Sequence, residues 1–220
     1  MNKTQIISQT ETYVRETLAD GGAGHDWWHV YRVWKNALHI AQSEEVDLFV
    51  VELAALLHDI ADHKFHGGDE TIGPKTARIW LKKLDVDESI ITQVTEIIAS
   101  LSFKGAKVAT PMRTREGMVV QDADRLDAIG AIGIARAFAY GGSKGRLLHD
   151  PNVPVELHES FETYKNSPAP TINHFYEKLL LLKDLMNTET AKKIATQRHM
   201  YMENFLKQFY AEWEGQDCQP

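Results

Sequence analysis

The feature that most constrains this chain is where proline is missing. None precedes Pro74, and none falls between Pro170 and the terminal Pro220. A proline inside a helix removes a hydrogen bond and clashes with the turn before it, so both flanks are free to be helical. Residues 3–19 read as a first helix, stopped by Gly21-Gly22-Ala23-Gly24. Asp26 stands where an N-cap would open a second, from Trp27 to Gln42. On it Val30, Val33, Trp34, Ala37 and Leu38 form one apolar stripe. Residues 46–62 are apolar around most of a helical circumference and read as a central helix. Residues 71–84 and 88–101 read as two amphipathic helices. The isoleucine-rich stretch has strand propensity, but Ile90, Ile91, Val94, Ile97 and Ile98 follow helical spacing.

Residues 103–115 read as a loop, and 116–140 as one long segment rich in Ala, Ile and Gly that ends at the glycine run 141–145. A glycine costs about 1 kcal/mol against alanine inside a helix. Gly130 and Gly133 therefore need a reason in packing or binding. Residues 146–170 carry four prolines and read as irregular, and 171–186 and 189–213 read as two closing helices. The expected fold class is all-α, a single domain over residues 1–220.

Charge and cysteine narrow the function classes. The 31 acidic residues exceed the 24 basic ones, a formal charge of -7. That balance argues against coating a long nucleic acid or an anionic membrane. The one cysteine, Cys218, excludes an intrachain disulfide and suits a reducing cytoplasm, the expected location. Residues 1–20 lack the apolar segment of a secretory signal, and the apolar run Leu48–Leu57 is too short to span a membrane.

Six of the ten histidines fall in the first 66 residues. Four residues stand in otherwise apolar elements: His29, the pair His58-Asp59 and Asp124. An ionised carboxylate buried without a partner costs several kcal/mol. A divalent cation would neutralise both carboxylates and satisfy both imidazoles. Taken singly, each has a plainer reading: His29 as a hydrogen-bonded core histidine, and Asp122, Asp124 and Asp127 as a solvated acidic face.

The order His…His-Asp…Asp resembles the HD-domain metal-dependent phosphohydrolases. Gly24-His25-Asp26-Trp27-Trp28-His29-Val30-Tyr31-Arg32-Val33 is similar to the first-ligand segment of a bacterial HD subfamily. Leu57-His58-Asp59-Ile60-Ala61-Asp62-His63-Lys64-Phe65 is similar to its central motif. Ser102-Phe103-Lys104-Gly105, Gln121-Asp122-Ala123-Asp124-Arg125-Leu126-Asp127-Ala128-Ile129-Gly130 and Phe138-Ala139-Tyr140-Gly141-Gly142-Ser143-Lys144-Gly145 extend the likeness over most of the chain. The resemblance implies an HD-type helical bundle, with a metal-binding core over about 20–140 and helices 171–213 packed on it. It implies metal ligands at His29, His58, Asp59 and Asp124. Members of that subfamily include a manganese-dependent pyrophosphohydrolase of NTPs and dNTPs. The implied cofactor is one divalent ion per chain, Mn first, with Mg, Co, Ni, Fe or Zn as other candidates.

Asp62 reads either as the group that orients or deprotonates the attacking water or as a hydrogen-bond partner of a ligand histidine. Lys64, Lys104 and Arg125 read as phosphate-binding cations, and His25 and Asp26 as groups facing the phosphates. Tyr140 and Lys144, beside the glycine turn, read as the place for a base or ribose. Arg32 reads as the partner of an acidic neighbour and is left out of the site. Phe205, Phe209 and Trp213, at i, i+4 and i+8, suit either the core or the seam of a homodimer. The expected partner is a small phosphorylated molecule, a nucleotide. Two other readings compete: a nucleotide-sensing HD module without turnover, and a zinc peptidase built on His25 and His29, whose spacing resembles HExxH.

Overall fold

The most apolar helix sits where its composition requires. α3 (Leu48–Leu57) buries eight of its ten side chains and touches α1 (Lys3–Thr17), α2 (Trp27–Ala41), α5 (Glu88–Ser100) and α6 (Arg115–Asp127). A helix apolar on all sides has no face to offer water, so the others close around it. The computed structural model describes residues 1–19, 26–61, 71–101, 110–156 and 169–218. Among them there is no strand, and no helix is long and apolar enough to cross a membrane. The fold is all-α, as expected.

Local chemistry sets many of the helix starts. Asn2 and Gln5 close a reciprocal cap on α1, Asp26 caps α2 and Asp47 caps α3. Thr114 caps α6 through the Gly117 amide. Such caps satisfy amides that have no partner within the helix. α4 (Ile72–Lys83) tolerates Pro74 because the proline lies in its first turn, where the missing N–H would be unpaired anyway.

Three expected boundaries move. α3 stops at Leu57; His58 is its C-cap, and residues 59–61 continue as turns rather than helix. The segment 116–140 is two helices, α6 and α7 (Gly130–Ser143), broken at Ala128 and Ile129. The two glycines explain the break by packing. Gly130 has φ 76°, a region that L side chains rarely adopt, and a side chain on Gly133 would collide with the Ala128 carbonyl. The segment 171–186 also divides. α8 (Thr171–Glu177) ends where Lys178 leaves the helical region, and a 3₁₀ helix, Leu179–Leu185, follows. Leu179 and Leu182 are both buried there, and an i, i+3 repeat suits three residues per turn.

α9 (Glu189–Trp213) packs on α7, on the 3₁₀ helix and on α6. Phe205 and Phe209 turn inward against Phe138 and Phe175, with ring centroids 5.8–6.4 Å apart. Trp213 stacks on Phe209 and remains 44% exposed. Phe205 and Phe209 are thus half-buried and pack against the core.

Candidate metal centre

α2 lies against α3 and α6, and their ends bring the four expected ligands together. Asp26 accepts from the His29 amide at 2.9 Å, which starts α2 so that His29 points inward from its first turn. His29 is 2% exposed. Its Nε2 lies 3.2 Å from His58 Nε2, 3.3 Å from Asp59 Oδ2 and 3.5 Å from Asp124 Oδ1. His58 Nε2 in turn lies 3.6 Å from Asp59 Oδ2. His29, His58 and Asp59 can each offer one ligand atom within 4.8 Å of the others. The Asp124 side chain, 34% exposed, stands at the solvent edge of the group.

The ring orientations fit a cation. His58 Nδ1 lies 2.8 Å from the Ala55 carbonyl, an acceptor only, so Nδ1 carries the hydrogen and the Nε2 lone pair faces inward. His29 Nδ1 lies 2.7 Å from Asp127 Oδ2, which imposes the same sense. Two lone pairs and the Asp59 carboxylate that converge, with Asp124 beside His29, form a mixed nitrogen and oxygen donor set, suited to Mn, Fe, Co, Ni or Zn. In the absence of a cation a proton serves the same field. Burial alone would lower the His29 pKa; hydrogen bonds to Asp127 and Asp59 and the charges of Asp59 and Asp124 reverse this and raise it to about 9.

Asp127 is the residue that sequence reasoning missed. It is 1% exposed rather than part of a solvated face. Besides His29 it accepts from Arg32 Nε at 2.6 Å, Arg32 Nη2 at 3.0 Å and Arg136 Nη1 at 2.5 Å. Burial would push its carboxyl up, but the bonds from His29 and Arg32 and the charges of His29 and Arg136 hold it well below the usual carboxylate range. The signal was present as spacing: Asp127 is Asp124+3 and Arg32 is His29+3, each pair on one helix face. Arg136 belongs to the same cluster and had no such signal.

Asp122 is also buried, with a different task. It accepts from the amides of Asn187 and Thr188, each at 2.8 Å, and from Thr188 Oγ1 at 2.9 Å, which anchors the start of α9.

Of the expected substrate groups, Asp26 lies beside the centre as the cap of α2. The reading of Arg125 as a phosphate ligand is corrected. One residue past Asp124, about 100° further round α6, its guanidinium is 7% exposed as a residue and donates to the Leu185 carbonyl and to Thr110 Oγ1. Tyr140, on α7, and Lys144, its C-cap, are exposed, with Lys144 Nζ and Arg146 Cζ each 5.7 Å from the Tyr140 ring centre. They follow Arg136 at i+4 and i+8, so one face of α7 runs from Asp127 toward them. Asp62, His25, Lys64 and Lys104 lie outside the described residues.

Known proteins agree with this geometry. The HD domain family matches residues 27–129, the span from α2 to the end of α6 that carries all four converging residues. The YpgQ protein of Bacillus subtilis is 38% identical over 100% of this chain and 99% of its own length. A solved HD-superfamily hydrolase from Bacillus thuringiensis is 46% identical, with a TM-score of 0.76 over 97% of this chain and 99% of that one. A crystal structure of Bacillus subtilis YpgQ in complex with ADP matches at 34% identity and a TM-score of 0.72, over 94% of this chain and 97% of that one. Sequence motif, donor geometry and likeness over the whole length therefore agree: the chain belongs to the HD domain family and is one of its metal-dependent hydrolases.

Proposed function

We propose that this hydrolase is a phosphohydrolase of nucleotides, with one divalent ion per chain, Mn first, held by His29, His58, Asp59 and Asp124. The observation that carries the reading is the convergence of His29 Nε2, His58 Nε2 and Asp59 Oδ2, with both imidazoles turned by acceptors on their far nitrogens. When bound, the ion supplies an acidic water and polarises a phosphoryl oxygen. The chain's own residues do the remainder. Asp62 takes or orients the proton of the attacking water, and His25, Lys64 and Lys104 bind the phosphates. Tyr140 and Lys144 hold the nucleoside end along the α7 face that starts at Arg136. The ADP seen on YpgQ supports a nucleotide over a simple phosphomonoester.

The test is a panel of nucleotides and phosphomonoesters, assayed with Mn, Mg, Co, Ni and no added metal. Release of phosphate and of pyrophosphate is followed separately, to identify the bond that breaks. Metal-dependent turnover of nucleotides is expected. Binding of metal and nucleotide without any hydrolysis would establish the sensing module instead. The peptidase reading leaves His58 and Asp59 idle, although both meet His29. Peptidase activity that survives His58→Ala would restore it.

A further inference from the structure

We propose that Asp127 is a positioning residue of the metal centre: it turns the His29 ring so that Nε2 faces the ion, and Arg32 and Arg136 hold its carboxylate in place. The inference rests on the metal reading above and concerns how one ligand of that centre is set. His29 Nδ1 and Asp127 Oδ2 are 2.7 Å apart, at 2% and 1% exposure, so water does not compete for either atom. A carboxylate only accepts, so the hydrogen between them belongs to His29 Nδ1. Nε2 is then the nitrogen left to offer its lone pair to an ion, and it points at His58, Asp59 and Asp124.

The arginines fix the carboxylate from the other side. Arg32 spans both oxygens, Nε on Oδ1 and Nη2 on Oδ2, and Arg136 donates to Oδ2 from α7. One buried carboxylate thus ties three helices, α2, α6 and α7, to the orientation of one imidazole. Arg136 also donates to the Asp127 backbone carbonyl at 3.2 Å, across the break between α6 and α7. The break lets α7 bring Arg136 to the carboxylate that ends α6.

The closing experiment titrates metal-free protein with Mn²⁺, without substrate, comparing the wild type with Asp127→Asn. The variant keeps the side-chain shape and removes the charge. Its Mn²⁺ dissociation constant is expected to rise by roughly 10–100-fold, the usual effect of removing a ligand's hydrogen-bond partner. An unchanged constant in the folded variant overturns the proposal; a merely structural Asp127 would lower only the melting temperature. Should the variant fail to fold, long-range ¹H–¹⁵N spectra of the Zn²⁺-loaded wild type decide. The expected result is His29 bound through Nε2, with a slowly exchanging Nδ1–H. Metal on Nδ1, or an Nδ1–H that exchanges freely, refutes it. Wild type that takes up no metal removes both this inference and the metal reading; wild type that binds, with Asp127→Asn binding equally, removes this inference alone.

Discussion

His29 is buried and His174 half-buried, and their surroundings drive them in opposite directions. Desolvation alone lowers an imidazole's pKa. At His174, on α8, it prevails, and the charges of Lys178 and Arg146 add to it, taking the ring down to about 3. At His29 three carboxylates overturn it and take the ring up to about 9. The two halves of the bundle are built accordingly. Around His29, buried polar groups are matched with one another across α2, α3 and α6. Around His174 the C-terminal half relies on rings, with Phe138, Phe175, Phe205 and Phe209 in contact. At His29 it is the group of converging side chains, together with the upward shift they cause, that marks a place for a cation.

The largest effect that would test this division is on the charged half. Asp59→Ala should abolish metal content and turnover together, measured by elemental analysis and by the nucleotide assay. Activity that persists in that variant would displace the centre from these residues. In the aromatic half, Phe175→Ala should cost about 3–5 kcal/mol of stability and leave the Mn²⁺ affinity of the folded protein unchanged. A parallel loss of metal affinity would show that the halves are not independent.

The two histidines also predict a pH profile for the metal-free protein. His174, lowered when folded, contributes stability that is full above 6.5 and fades as pH falls toward about 3. His29, raised when folded, contributes stability that is full below 6.5 and is lost as pH climbs through about 9. Each slope is at most about 1.4 kcal/mol per pH unit. Denaturant melts across this range should show His29→Gln removing the alkaline slope and His174→Gln the acid one. Saturating Mn²⁺ should flatten the alkaline side, because the ion replaces the proton. The smallest effect belongs to the anchor between the halves. Thr188→Ala removes the cap of α9 and one bond to Asp122, and should cost about 1 kcal/mol without a change in activity.

Much of this was legible in one dimension. The sequence located α2, α4, α5 and α9 to within a residue or two, because helical periodicity is a local property. The breaks were not legible. Nothing local says that α3 ends before His58, or that Gly130 turns the chain while Gly133 merely makes room for the Ala128 carbonyl. The three aspartates of α6 illustrate the limit. Asp122, Asp124 and Asp127 look like one acidic face, yet the first anchors α9, the second reaches the metal centre and the third holds His29. Arg125 misled for the same reason, since its place in a motif beside Asp124 says nothing of the 100° turn that sends it to Leu185 and Thr110.

Residue order alone pointed to an all-helical chain and, through its resemblance to the HD family, to His29, His58, Asp59 and Asp124 as candidate ligands. Helical periodicity is a local property, and the donor chemistry of a metal site is written in residue types. Only the folded chain brought His29, His58 and Asp59 together, set Asp124 beside His29, and put Asp127 on the far nitrogen of the His29 ring. Only the folded chain decided that Arg32 and Arg136 serve that carboxylate, and that Arg125 ties Thr110 to the end of the 3₁₀ helix. Those outcomes depend on contacts between residues from 9 to 98 positions apart, where a rotation of one helix by a single residue would exchange one partner for another.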